Sequence, residues 1–368
     1  MKKRMLKNME WGILICSVLL LIIGLVALFS ATQNTEYEEF KRQIMWFVIS
    51  IPIIVIVVLI DYELIAKLSP IFYGICIALL IGVFFTEPIN GATSWYNLGV
   101  ASMQPGEIAK IFVIIFVSYI MSKLTEKGRE RINKPWVIGI LVASIGIPVL
   151  LIAKQPDLGT AIAYLVAFAF MIFASGIKAR YILIIVLLVV IIVPTLYFTI
   201  LPEHAKTRID IFLNPEKDPR GAGYNILQSK LAIGAGQLTG MGMFAGNQTQ
   251  LGFLYPKTTD FIFAVIGEEF GFVLASIIIV IYVIMITKAV YVAKTAKDEL
   301  GSYIVMGIAG LFCFHMAENI GMVMGLLPIT GIPLPFVSYG GSSLVTNFIC
   351  IAILLNVSGR RQKAIFMG

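Results

Sequence analysis

Apolar residues fill most of this chain in runs of about 17 or more, separated by short polar stretches and one long one. Runs of that length suit helices crossing a hydrocarbon layer about 30 Å thick. The pattern predicts ten spans, at about 11–31, 43–60, 69–86, 105–122, 136–153, 158–175, 180–201, 260–287, 301–325 and 343–358. Backbone in lipid must satisfy its own hydrogen bonds, so the expected fold is an all-α integral membrane protein. The longest polar interval falls within Leu201 to Gly271 and predicts one large extracellular loop at 202–259. Its middle, YNILQSKLAIGAGQL, has the spacing of a short helix dipping into the outer leaflet. No linker or soluble segment interrupts the pattern, so residues 1–368 read as a single transmembrane domain. The first apolar run is too long for a signal peptide and reads as an uncleaved helix.

Charge sets the orientation. Of the 28 basic residues, 18 fall in the terminal segments and loops of one side. The short connections of the other side carry three, Lys41, Arg42 and Lys154. By the positive-inside rule both termini are cytoplasmic and the long loop is outside. This distribution accounts for the net charge of +7 without a nucleic-acid partner. The four cysteines lie in apolar runs and form no CxxC pair, which argues against a disulfide framework or a zinc site. The glycines of the loop match no nucleotide-binding fingerprint.

The remaining chemistry gathers near the outer face. Asp260 stands where the long loop meets the next span, and a carboxylate at a membrane edge is costly unless it serves a function. Glu268 and Glu269 follow it, about 12–13.5 Å further along a helix, too far to share a reacting atom. They are expected to pair with another span or to line a polar cavity. Glu107 and Lys110 share a helix face, and Asp157 could join Lys110 from the sixth span. The reading is a structural ion pair, although Lys110 could also meet a phosphate. His315 and Glu318 also share a face and read as a hydrogen-bonded pair between helices. Prolines in LLPITGIPLPFVSYGGSS break any helix at 326–343, a third outer loop expected to fold inward beside the long one. Carboxylate, Arg, Lys, hydroxyl and glycine-rich backbone together suit an anionic substrate in the outer leaflet. A proton-coupled transporter and a non-catalytic scaffold stay open as alternatives.

Several long strings carry a family resemblance: FLNPEKDPRGAGYNILQSKLAIGAG, TDFIFAVIGEEFG and GLLPITGIPLPFVSYGGSS, with GATSWYNLG, QPGEIAK and KQPDLGTA. Over essentially its whole length the chain resembles the SEDS family (shape, elongation, division and sporulation), in particular its elongation branch. The resemblance implies a peptidoglycan glycosyltransferase of ten spans that polymerises lipid II outside the cytoplasmic membrane, partnered by a class B penicillin-binding protein. It maps the family's essential aspartate onto Asp260 and its tryptophan onto Trp95. Lys110 and Asp157 match a polar pair between spans, with Glu107 beside them, and Arg42 matches a basic position at the outer edge. Arg42, Lys110, Arg208 and Arg220, or a divalent cation such as Mg or Mn, would neutralise a leaving pyrophosphate. The chain departs from the family at Thr258, which stands where a histidine is usual.

Overall fold

The computed structural model describes residues 2–87, 93–97, 102–178, 180–181, 210–218 and 221–361. A short helix, α1 (Lys2–Asn8), precedes the first span, α2 (Trp11–Ala31). The chain continues through α3 (Glu38–Leu59), α4 (Tyr62–Gly82), α5 (Pro105–Thr125), α6 (Pro135–Lys154) and α7 (Leu158–Ser175). After the long loop's helices, α8 (Ala222–Gly236) and α9 (Asn247–Gln250), come α10 (Ile262–Lys294), α11 (Glu299–Val323) and α12 (Gly341–Arg360). Among the described residues nine helices are long and apolar enough to cross a membrane. They coincide with nine of the ten predicted spans; all but the first two residues of the tenth, at 180–201, lie outside the described residues. Between α4 and α5 the chain forms a small antiparallel ribbon, β1 (Tyr96–Asn97) and β2 (Ser102–Met103), with Tyr96 opposite Met103.

The bundle is graded from core to lipid. α12 is mostly buried (78%), whereas α3 presents most of its residues outward (17% buried). α11 packs against α7, α10 and α5, and α12 against α3. An outward apolar helix needs no partner in lipid, because hydrocarbon satisfies it as well as protein would. Polar backbone does need one. Pro148 inside α6 cannot donate to the carbonyl of Ser144, and the hydroxyl of Tyr73 on α4 donates there instead, at 2.8 Å.

The short basic connections gather at one end. There Lys288 and Arg361 grip Glu10 at 2.9 and 3.2 Å, and Lys297 meets Glu63 at 2.8 Å. Burial pushes the Glu10 carboxyl up, but these two cations outweigh it and hold the group below the usual range. α1 lies against the end of α12, so both described ends of the chain share this basic face. The long loop's helix α8 packs at the opposite end, where Ser229 donates to the Val323 carbonyl that closes α11, at 2.8 Å.

The eighth span is not a continuous helix. α10 breaks at Gly271, whose φ of 74° is open to glycine without strain. The predicted span at 260–287 thus becomes a buried half-helix, 262–270, followed by a lipid-length segment from 272 to 294. The break strips the helix of its own hydrogen bonds, and the loop supplies them. Met241 and Gly242 N–H donate to the carbonyls of Glu268 and Glu269 at 2.9 and 3.0 Å. Phe272 and Val273 N–H donate to the carbonyls of Gln237 and Leu238 at 2.9 and 3.2 Å. Non-helical backbone at this depth is tolerated because protein covers it.

Candidate active site

Asp260 sits in the turn that enters the half-helix, one residue before its N-cap, Phe261. Three successive carbonyls of this turn have no helical partner, and each finds another. Thr258 C=O accepts from Tyr339 N–H at 2.9 Å, Thr259 C=O from the Ser338 hydroxyl at 2.6 Å, and Asp260 C=O from the Asn319 amide at 2.9 Å. The Asn319 amide also donates to Ile332 C=O at 2.8 Å. The third outer loop therefore folds against the Asp260 turn. A second buried amide fixes its far side: Gln43 donates to Ser338 C=O at 2.9 Å and accepts from Gly340 N–H at 3.2 Å. The Asp260 carboxyl is half-buried and faces Gly331, where an added Cβ would lie 3.5 Å from Oδ2.

Cations frame the turn unequally. Arg42 is half-exposed on the first turns of α3, paired with Glu38 and facing Tyr339, whose own N–H binds the turn. Burial raises the Tyr339 hydroxyl above the usual phenol range despite that guanidinium. Lys257, three residues before Asp260, donates to Thr249 C=O at 2.9 Å, and burial pulls its ammonium below the usual lysine range. Lys110 is different. It is 1% exposed and bonds Glu107 at 2.8 Å, a pair closed off inside the bundle. Arg208 and Arg220 lie outside the described residues.

Asp157 does not join Lys110. It caps α7 by accepting from Thr160 N–H at 3.1 Å and takes a second bond from the Gln104 amide at 2.6 Å. A capping aspartate must point at its own helix start, which aims it at the α5 cap rather than one turn deeper. Burial raises its pKa above the usual aspartate value. Trp95 is half-buried beside the ribbon, its carbonyl accepting from Thr86 Oγ1 at 3.2 Å. Ser94 donates to Gln155 C=O at 3.4 Å, and Gly159 lies directly against Thr330 and Ile332. These contacts place the ribbon, the α7 start and the third loop around one outer rim with Asp260.

His315 and Glu318 do not bond each other. Glu318 accepts from the Thr330 hydroxyl at 2.7 Å, while His315 lies against the Pro333 carbonyl and beside the Glu107–Lys110 pair. With Asn319 they make the outer end of α11 a bracket for residues 330–333. Facing a common helix side gave them a common neighbour, not each other. Glu269 pairs with another span, as expected: it accepts from the Ser30 hydroxyl at the end of α2, and from the Gln250 amide of the long loop. Glu268 instead takes N–H bonds from Gln248 and Thr249 of the long loop, and both glutamates are buried. Gln43 and Asn319, which hold the site most directly, are neutral amides that follow charged neighbours, Arg42 and Glu318, and carry no charge to mark them in the sequence.

The sequence profile of FTSW_RODA_SPOVE, described as a cell cycle protein family, matches residues 10–363. Peptidoglycan glycosyltransferase MrdB of Escherichia coli K12 is 36% identical over 96% of this chain and 95% of its own length. Peptidoglycan glycosyltransferase RodA of Treponema pallidum is 31% identical, covering 98% and 100%. A solved chain from a peptidoglycan synthase complex that coordinates polymerization and crosslinking superimposes with a TM-score of 0.83, at 25% identity, over 96% of this chain and 99% of that one. The family match over residues 10–363, with relatives 31–36% identical over nearly the whole chain, places this multi-pass protein in the FTSW_RODA_SPOVE family.

Proposed function

We infer that this protein is a peptidoglycan glycosyltransferase of the bacterial cell membrane, polymerising lipid II into β-1,4 glycan during cell elongation. The observation that carries this reading is the Asp260 turn. A half-exposed carboxyl is mounted on a backbone whose three carbonyls are pinned by two separate elements, the third outer loop and α11, with Arg42 on the adjoining rim. A base must be held still and be reachable from outside, and this one is both.

The acceptor lipid II attacks through the 4-hydroxyl of its GlcNAc, and Asp260 takes the proton as the bond forms. Such general-base help contributes about 10²–10⁴-fold. The electrophile is C1 of the donor MurNAc, whose bond to undecaprenyl pyrophosphate breaks as the new one forms. One displacement at an α-linked donor inverts it to the β-linkage, with no covalent intermediate. The departing diphosphate meets Arg42 at the rim. Lys110, closed inside the bundle with Glu107, acts on structure rather than on the diphosphate. Among the described residues no three His, Cys, Asp or Glu side chains converge as a metal site. A divalent cation, Mg or Mn, would serve as a partner carried by the diphosphate itself. The solved synthase complex supports a crosslinking partner, which the reading assigns to a class B penicillin-binding protein.

The test is polymerisation of lipid II by the purified protein, alone and with a class B partner. Wild type is expected to make glycan and Asp260→Asn to make none while keeping its elution profile. Full-rate glycan from Asp260→Asn would end the base assignment, and translocation of lipid II without glycan would establish a transporter.

A further inference from the structure

We propose that Glu268 and Glu269 are positioning residues for Asp260, acting through the 237–258 segment; this rests on Asp260 being the base. The two carboxylates close the half-helix that Asp260 opens, and both are buried, at 0% and 1% exposure. Glu268 caps α9 from outside its own chain segment. The cap position of α9 is Gly246, which has no side chain to offer. Glu268 fills that role: Oε1 accepts from Gln248 N–H at 2.7 Å, and Oε2 accepts from Thr249 N–H at 3.0 Å and the Thr249 hydroxyl at 2.6 Å. Gly246 is glycine because a Cβ there would stand 2.6 Å from Glu268 Oε2. Its φ of −68° would otherwise accept any residue.

Glu269 ties the same segment to the end of α2. Its Oε1 accepts from the Ser30 hydroxyl at 2.8 Å and the Gln250 amide at 2.7 Å, and Ser30 in turn accepts from Phe244 N–H at 3.0 Å. From α9 the connection runs to the site: Thr249 C=O takes the Lys257 ammonium at 2.9 Å, at the head of the Asp260 turn. Neither glutamate touches the reacting atoms. Together they fix the stretch of chain that approaches the base from the loop side.

The two carboxylates differ in one respect that makes the idea testable. Both oxygens of Glu268 accept hydrogen bonds, whereas Oε2 of Glu269 is buried without a partner. An amide at 268 must turn an NH2 group toward N–H donors; an amide at 269 can keep Oε1 and place its NH2 where no donor stands. Lipid II polymerisation is followed with purified variants, with unfolding midpoint and elution profile measured beside it. Glu268→Gln is expected to lower kcat about 10- to 100-fold with KM unchanged, the loss that a displacement of about 1 Å produces. Glu269→Gln, which can keep Oε1, is expected to stay within about threefold of wild type, whereas Glu269→Ala, which drops the Ser30 and Gln250 bonds, is expected to lower kcat as Glu268→Gln does. Glu268→Ala should lose activity, and Gly246→Ser added to it should restore most of the loss, because the serine caps α9 in place and occupies the space the glutamate vacates. The proposal is overturned if Glu268→Gln keeps wild-type kcat, if its loss is in KM alone, if Glu269→Gln is as damaged as Glu268→Gln, or if the serine restores nothing. Asp260→Asn in the same series separates the two ideas. An inactive Asp260→Asn beside an active Glu268→Gln ends only the positioning role, whereas an active Asp260→Asn ends the reading beneath it.

Discussion

Lys110 offers a choice between two roles, a closed ion pair and a contact with the diphosphate, and its geometry favours the first. Its ammonium is 2.8 Å from Glu107 Oε2, and the side chains are 2% and 5% exposed. Removing one partner, as in Lys110→Met, leaves a carboxylate inside the bundle with no cation, a loss of about 3–5 kcal/mol. Removing both, as in Glu107→Gln with Lys110→Met, takes away the stranded charge and keeps similar volume. Such exchanges are neutral to stabilising in many proteins. The single variant should therefore melt well below wild type in detergent, and the double variant should recover most of the difference. Activity is expected to follow stability, because a closed pair has no access to a diphosphate. Scanning fluorimetry and lipid II polymerisation on the four proteins of this cycle measure both. Wild-type melting of Lys110→Met would refute the closed pair. A double variant as stable as wild type that makes no glycan would instead show that Lys110 meets substrate.

Asn319 is expected to tolerate Asp worse than Ala: alanine only deletes two donors to the carbonyls of Asp260 and Ile332, while aspartate aims oxygen at both; each lost bond costs about 0.5–1.5 kcal/mol and more where a carbonyl stays dry, and equal melting of the two variants would contradict this. Burial raises the pKa of Asp157, so the folded state holds its proton more tightly than the unfolded chain. This contribution favours folding below the unfolded pKa and is lost as pH rises through the folded one. Asp157→Asn keeps the Thr160 bond through its oxygen and the Gln104 bond once that amide turns its own oxygen toward the new NH2. It should thus gain melting temperature over wild type at neutral pH, and the gap should close toward pH 4; a constant gap would refute the sign. Chelation by EDTA is expected to slow polymerisation, with Mg or Mn restoring it and leaving the melting temperature unchanged; a matching drop in melting temperature would instead indicate a structural ion.

What could be read from sequence followed the kind of physics involved. The spans were legible because lipid imposes one rule on every residue of a crossing helix, and 158–175 matches α7 at both ends. Asp260 was legible because an ionisable group at a membrane edge carries a cost that composition exposes. Pairings were not legible, since spacing along one helix says which residues share a face and nothing about what faces them. His315, Glu318 and Asn319 share such a face, and what they meet is residues 330–333, a segment set by loop closure rather than by helix period. The break at Gly271 was hidden for a related reason. A glycine in an apolar run is common in membrane helices, and only the partner strand of backbone at 237–242 turns it into a breach that the loop must fill. Gly236 and Gly240 on the loop record that demand from the other side: a Cβ at either would stand 1.8 or 2.2 Å from the carbonyl oxygens of Gly267 or Glu269. Gly236 and Gly240 of IGAGQLTGMG thus serve close approach of two backbones, and the approach is what lets buried glutamates reach the chain that carries the base.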